Sequence, residues 1–180
     1  PHVAMAVAVI QLIAPSGLIA RAAHSLGLIA TSAEFPVLIN DRFGSGIIIV
    51  YVLKELPFLA VMCVTVLLRT GDEYFDLART LGASAWQRLC FVTVPIVAPV
   101  LAAGSAIVFA FVFSGFEIPY VLGQPYPAML GVLVQRKFVS ADLSERPEAM
   151  AAAMLTAIIA VVGISIAASL RKRFERMYQD

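Results

Sequence analysis

The sequence predicts an all-α fold, a polytopic bundle of transmembrane helices. Of its 180 residues, 61% are hydrophobic and 14% charged, with a mean hydropathy of +0.90. A single domain of this length cannot bury so much apolar surface in its own core. The apolar residues also run in long stretches. Residues 89–116 and 149–170 contain no charge, and residues 47–68 are interrupted only by Lys54 and Glu55. Each stretch is long enough to cross about 30 Å of hydrocarbon as a helix.

The first apolar element, residues 3–20, contains Pro15, Ser16 and Gly17, which mark either its end or a break. It follows Pro1 and His2 directly, with no initiator Met, basic n-region or cleavage site, so a further N-terminal part is expected. With the three longer stretches this makes four spans. Beyond the last, "RKRFERMYQD" places Arg171, Lys172, Arg173 and Arg176 next to the membrane, which favours a cytoplasmic C-terminus. Four spans then put Pro1 and residues 72–88 on the cytoplasmic side, and residues 21–43 and 117–147 outside.

The net charge of +1 is spread singly along the chain, which sets nucleic-acid binding aside. Cys63 within a span and Cys90 at the edge of another read as buried thiols rather than a disulfide framework. His2 and His24 offer no metal-ligand spacing, and no cofactor is expected.

The most polar internal stretch is "DEYFDLARTLGASAWQRLCFVTVP", from Asp72 to Pro95. Thr70 and Glu73 have the spacing of a capping box, predicting a helix that begins near Gly71 with Asp72, Glu73 and Asp76 at the positive end of its dipole. Gly82 suits the left-handed position that ends such a helix. Ser84 and Gln87 form a second capping box, from which another helix runs into the next span. On the first helix Tyr74, Leu77, Ala78 and Leu81 share one apolar face. Two occupants suit that face, the lipid surface or a partner. The acidic first turn repels anionic lipid and favours a cytoplasmic protein.

These residues resemble the signature loop of the membrane subunits of binding-protein-dependent ABC importers. The matching positions are Asp76, Leu77 and Ala78, then Gly82, then Val92, Val94 and Pro95, together with "LGAS" at Leu81 to Ser84. Asp76 stands where the family usually has Glu, and Leu77 where it has the first of two Ala. The resemblance covers essentially residues 1–180 and implies a type I importer permease core of which this chain holds the C-terminal four of about six core spans. It implies that residues 70–95 form a cytoplasmic coupling loop, in which Tyr74, Asp76, Leu77, Ala78, Leu81, Gly82, Ser84 and Pro95 engage a separate ATP-hydrolysing subunit. It further implies a second permease subunit, identical or not, an external solute-binding protein, and a bacterial inner-membrane location. The stretches "KELPF", "FEIPYVLG" and "RPEAMA" are similar to permeases of the polyamine, ferric iron, sulfate and thiamine group.

Lys54 and Glu55 inside a span are costly, by about 2.5–3.5 kcal/mol each on insertion scales, so such charges normally face a bundle interior or a water-filled path. As neighbours they point about 100° apart on a helix. Either they line a translocation path, or Lys54 snorkels to an interface and Glu55 caps a break near Pro57. Glu117 marks the outer end of the third span, as a gate residue or an ordinary interfacial carboxylate. The chain carries no G-x-x-x-x-G-K-[ST], and no nucleophile, base and oxyanion donors converge in it, so it reads as a transport subunit with no catalytic residue of its own. The competing reading is an autonomous channel or secondary transporter using Lys54, Glu55 and Glu117. A non-transporting membrane scaffold is the third.

Overall fold

The computed structural model describes residues 2–177, with side chains through residue 169. The basic tail residues Arg171, Lys172, Arg173 and Arg176, on which the orientation rests, lie outside the described side chains. All regular structure among the described residues is helical. The elements are α1 (His2–Ile13), α2 (Leu18–Ser25), α3 (Ser45–Thr70), α4 (Glu73–Thr80), α5 (Ala85–Arg88), α6 (Val94–Ser114), α7 (Glu117–Leu122), α8 (Leu130–Phe138) and α9 (Arg146–Met177). A π-helical turn, Leu89–Thr93, joins α5 to α6, and 3-10 turns occupy Ser32–Glu34 and Leu143–Glu145. Four segments are long and apolar enough to cross a membrane: His2–Ser25, Ser45–Thr70, Ala85–Ser114 and Leu143–Ser169.

The chain divides into two compact units. The first holds the residues up to Lys54 together with Val112–Ala160. In it Pro15, Ser16 and Gly17 make a break rather than an end: α1 stops at Ile13, the Gly17 amide donates to the Ala14 carbonyl at 2.7 Å, and α2 resumes at Leu18. A Cβ on Gly17 would stand 2.7 Å from the Leu12 carbonyl oxygen, so the turn requires glycine there. The core is formed by Ala6, Val9 and Ile13 of α1, Ile47 and Val50 of α3, and Ile118 and Leu122 of α7. Within each helix these residues are spaced three or four apart, one face per helix. Gly46 lets the start of α3 close in, since a Cβ there would lie 2.9 Å from Leu122 Cδ2. Because lipid is as apolar as these side chains, their gain in the bilayer is close packing rather than escape from water.

The segment 117–147, read from sequence as an external loop, thus contains two helices, and α7 supplies core residues. Asp41 fixes the start of α3. Its carboxylate accepts from the Ser45 amide at 2.8 Å, the Ser45 hydroxyl at 2.8 Å and the Phe43 amide at 3.2 Å. The Ser45 amide is the main reason the Asp41 pKa is lowered below the usual 3.8; partial desolvation opposes it, and the Ser45 hydroxyl and Phe43 amide add to the lowering. Near the start of α9, Lys137 pairs with Glu148, and with Glu145 at 3.7 Å. Asp142 Oδ1 accepts from the Ser144 amide at 2.9 Å and caps the intervening 3-10 turn.

The second unit holds Glu55–Phe111 and the residues from Val161 on. Its helices approach closely over glycine. A Cβ on Gly104 would lie 2.8 Å from Leu59 Cδ2, and one on Gly163 would lie 2.6 Å from Phe109 Cε1. Small residues of this kind let helix backbones come together where no hydrophobic driving force exists. Pro57 lies inside α3 without ending it, so the expected break for Glu55 to cap is not present.

Asp41 gives a pH test. A carboxylate whose folded pKa is depressed contributes stability above its unfolded pKa and loses it as pH falls through the folded value. The difference in melting temperature between the wild type and Asp41→Ala in detergent should hold from about pH 8 to about pH 5 and shrink below about pH 4. A difference that persists undiminished to about pH 2 would show that the carboxylate charge is not what holds the start of α3.

Candidate functional site

The polar loop of the second unit holds the residues expected to form the coupling site. Its first expected capping box is not formed. Thr70 is the last residue of α3, and its hydroxyl donates back to the Val66 carbonyl at 2.9 Å. Gly71 at φ +74 then turns the chain, and Asp72 becomes the N-cap of α4 without a side-chain cap. The i, i+3 spacing was present, but the hydroxyl already belonged to the preceding helix. Glu73 and Asp76 still occupy the first turn of α4, where the dipole favours them.

The end of α4 follows the glycine rule closely. Gly82 has φ +76, its amide donates to the Arg79 carbonyl at 2.9 Å, and the Ala83 amide donates to the Ala78 carbonyl at 3.0 Å. This pair of bonds is a Schellman motif, which satisfies carbonyls that the helix end leaves free. Two residues later the second capping box is complete. The Gln87 amide donates to Ser84 Oγ at 3.3 Å, and the Ser84 amide donates to Gln87 Oε1 at 2.8 Å. The connection between α4 and α5 is therefore fixed by backbone geometry rather than by packing.

What this rigid turn presents is apolar. Tyr74, Leu77 and Leu81 are 59%, 60% and 78% exposed, so the face of α4 read from the sequence is open. Ala78, half-buried, faces instead toward a cleft of about 270 Å³ that it lines with Leu81, Gly82, Ala83, Gln87, Arg88, Phe91 and Val92. Asp76 is exposed and stands 3.8 Å from Arg79, a weak surface pair. Pro95 lies in the first turn of α6, beyond the π turn. Its ring has no amide hydrogen and crowds the carbonyl four residues back, that of Phe91, which accounts for the widened turn at Leu89–Thr93.

The sequence reading passed over Trp86, which is 71% exposed at the start of α5, and Phe91, which is 77% exposed. Their signal was the single tryptophan of the chain sitting in its most polar internal stretch. Of the residues expected along a path, Lys54 and Glu55 are half-buried in α3, the former in the first unit and the latter in the second. Glu117, half-buried, opens α7 two residues after the Gly115 that follows α6. Among the described residues no group of three His, Cys, Asp or Glu side chains is placed to hold a metal ion.

Four segments long and apolar enough to cross a membrane, the second and third joined by a capped polar loop, define a polytopic membrane protein. The chain belongs to the family of binding-protein-dependent transport system inner membrane components, which it matches over residues 1–178. It is similar to the inner membrane ABC transporter permease protein YnjC of Escherichia coli (strain K12), 26% identical over 179 residues, 98% of this chain and 33% of the relative. A probable ABC transporter permease protein of Brucella abortus biovar 1 (strain 9-941) is 29% identical over 113 residues, 63% of this chain and 39% of the relative. The sulfate transport system permease protein CysT of Escherichia coli (strain K12) is 39% identical over 64 residues, 36% of this chain and 23% of the relative. The chain thus spans between 23% and 39% of the length of these relatives. No solved structure matches it.

The complete capping box makes a local prediction. Ser84→Ala removes one partner of the reciprocal pair and should cost about 0.5–2 kcal/mol at that helix start. Amide exchange at Gln87 should accelerate by roughly 2- to 30-fold while exchange within α6 stays unchanged. Equal exchange in both proteins would mean that water replaces the cap at no cost.

Proposed function

We propose that the chain is part of a permease subunit of an ABC importer. In this reading it contributes to the translocation path for a small polar solute and couples to a separate ATP-hydrolysing subunit through α4. The observation that carries the reading is the open apolar face of Tyr74, Leu77 and Leu81 on a helix held rigidly at its C-terminal end. Large apolar side chains with exposures of 59% and more, on a short helix with an acidic first turn, suit a protein groove better than an anionic membrane surface. Family membership supports the same partner arrangement: a nucleotide-hydrolysing subunit on the cytoplasmic side, a second permease subunit, and an external solute-binding protein. With α4 on the cytoplasmic side, the C-terminus is cytoplasmic as well, and the membrane is the inner one.

The solute belongs to the polyamine, ferric iron, sulfate and thiamine group in this proposal. The likeness to CysT supports sulfate within that group, and the comparisons lend no support to a polyamine. Lys54 and Glu55 remain proposed contributors to the path, a reading supported by their position about 14 Å along α3, at about 1.5 Å per residue, in a helix long enough to cross the membrane.

A pull-down tests the coupling. From detergent-solubilised membranes the full-length permease should bring down an ATP-hydrolysing subunit, and Asp76→Lys, which reverses the charge in the first turn of α4, should lose it. Recovery of no such subunit with the wild type would remove the importer reading in favour of an autonomous transporter. In the reconstituted complex, Gly82→Val should uncouple solute uptake from ATP hydrolysis, since φ +76 strains a β-branched residue although space is open around it. Gly82→Asn, which tolerates that backbone, should retain most coupling. Equal coupling in all three would show that the turn geometry is not what transmits force.

A further inference from the structure

We propose that the cleft beneath α4 seats an anionic phospholipid, with its phosphate on the Arg88 guanidinium and the upper part of an acyl chain against Phe91 and Val92. This goes beyond the docking of α4, which uses Tyr74 and Leu77 and shares only Leu81 with the cleft, and it rests on the proposed orientation only for the leaflet concerned.

Depth is the first argument. The segment Ala85–Ser114 has 30 residues. At 1.5 Å per residue it is about 45 Å long, which matches a bilayer measured through its headgroups, about 40–45 Å, rather than its hydrocarbon of about 30 Å. The first residues of the segment therefore lie at headgroup level. Arg88 is the fourth of them, and Trp86, the second, is 71% exposed as expected for an aromatic ring at the membrane–water boundary.

Chemistry is the second. Arg88 is the one charged residue that lines the cleft, and the remaining walls are Ala78, Leu81, Gly82, Ala83, Gln87, Phe91 and Val92. Among the described residues no carboxylate pairs with the half-buried Arg88 guanidinium. The acids of the loop, Asp72, Glu73 and Asp76, lie in the N-terminal half of α4 or just before it, and none of them lines the cleft. A planar guanidinium donates two parallel bonds to a phosphate. The volume of about 270 Å³ accommodates a headgroup but not a whole lipid, and Phe91, 77% exposed, continues the wall along which a chain would leave.

Trp86, the single tryptophan of the chain, stands two residues before Arg88 and next to the cleft-lining Gln87, so it reports on lipid beside this seat. The full-length permease, with Trp86 as its one remaining tryptophan, would be reconstituted in nanodiscs of phosphatidylcholine and phosphatidylglycerol, with bromine on the acyl chains of one lipid or the other at equal mole fraction. Brominated phosphatidylglycerol should quench Trp86 about twofold more strongly than brominated phosphatidylcholine, because a basic residue at the membrane surface attracts anionic lipid. Arg88→Gln should abolish the preference, while Arg88→Lys and Arg79→Gln should keep it. Equal quenching by the two lipids in the wild type, or a preference that survives Arg88→Gln, overturns the proposal. So does loss of quenching by both lipids when the ATP-hydrolysing subunit is bound, which would make a protein side chain the occupant. Failure of the coupling reading leaves the wild-type preference intact, so the two are separately decided.

Discussion

The controlling constraint is that a backbone amide or carbonyl inside hydrocarbon has no water to bond. Only continuous helix satisfies it there, so irregular backbone must collect where the chain leaves the membrane or packs against itself. The long helices α3, α6 and α9 follow from that rule. So does the placement of two left-handed glycines, Gly44 and Gly71, which turn the chain at the two limits of the apolar run of α3; Gly27 and Gly82 stand just beyond the ends of α2 and α4.

A second consequence concerns burial. Within the candidate spans Ser45–Thr70, Ala85–Ser114 and Leu143–Ser169, only 17%, 6% and 11% of the most apolar windows are buried inside the chain itself. The remaining apolar surface has to meet lipid or other subunits. Within each unit helices approach closely over glycine, at Gly46 in the first and at Gly104 and Gly163 in the second. Against that background the rigidity of the α4–α5 turn is informative. Reciprocal caps and a Schellman motif fix it locally, so the link from α4 to α5 does not depend on contacts elsewhere in the chain.

The sequence made the spans legible because long uncharged runs admit few alternatives. It also made legible the Ser84 and Gln87 box and the Gly82 stop, because these are local bonds between residues close in the chain. The Thr70 and Glu73 box failed because the same local pattern competed with the tail of α3, and spacing alone does not say which helix a hydroxyl serves. Helix α7 was missed for a different reason. Six residues are too few to show a period, and its helical form depends on Ile118 and Leu122 packing against α1 and α3. The π turn leaves a trace only in Pro95, whose effect on the residues before it is steric and three-dimensional.

The central claim is that the apolar face of α4 is a cytoplasmic docking surface for an ATP-hydrolysing subunit. Cysteine labelling tests it most directly. With Cys63 and Cys90 replaced by alanine, a Leu77→Cys permease in sealed vesicles should react with a membrane-impermeant maleimide only from the cytoplasmic side, and should be shielded once the ATP-hydrolysing subunit binds. Labelling from the external side, or labelling from the cytoplasmic side at an unchanged rate with that subunit bound, would contradict the account.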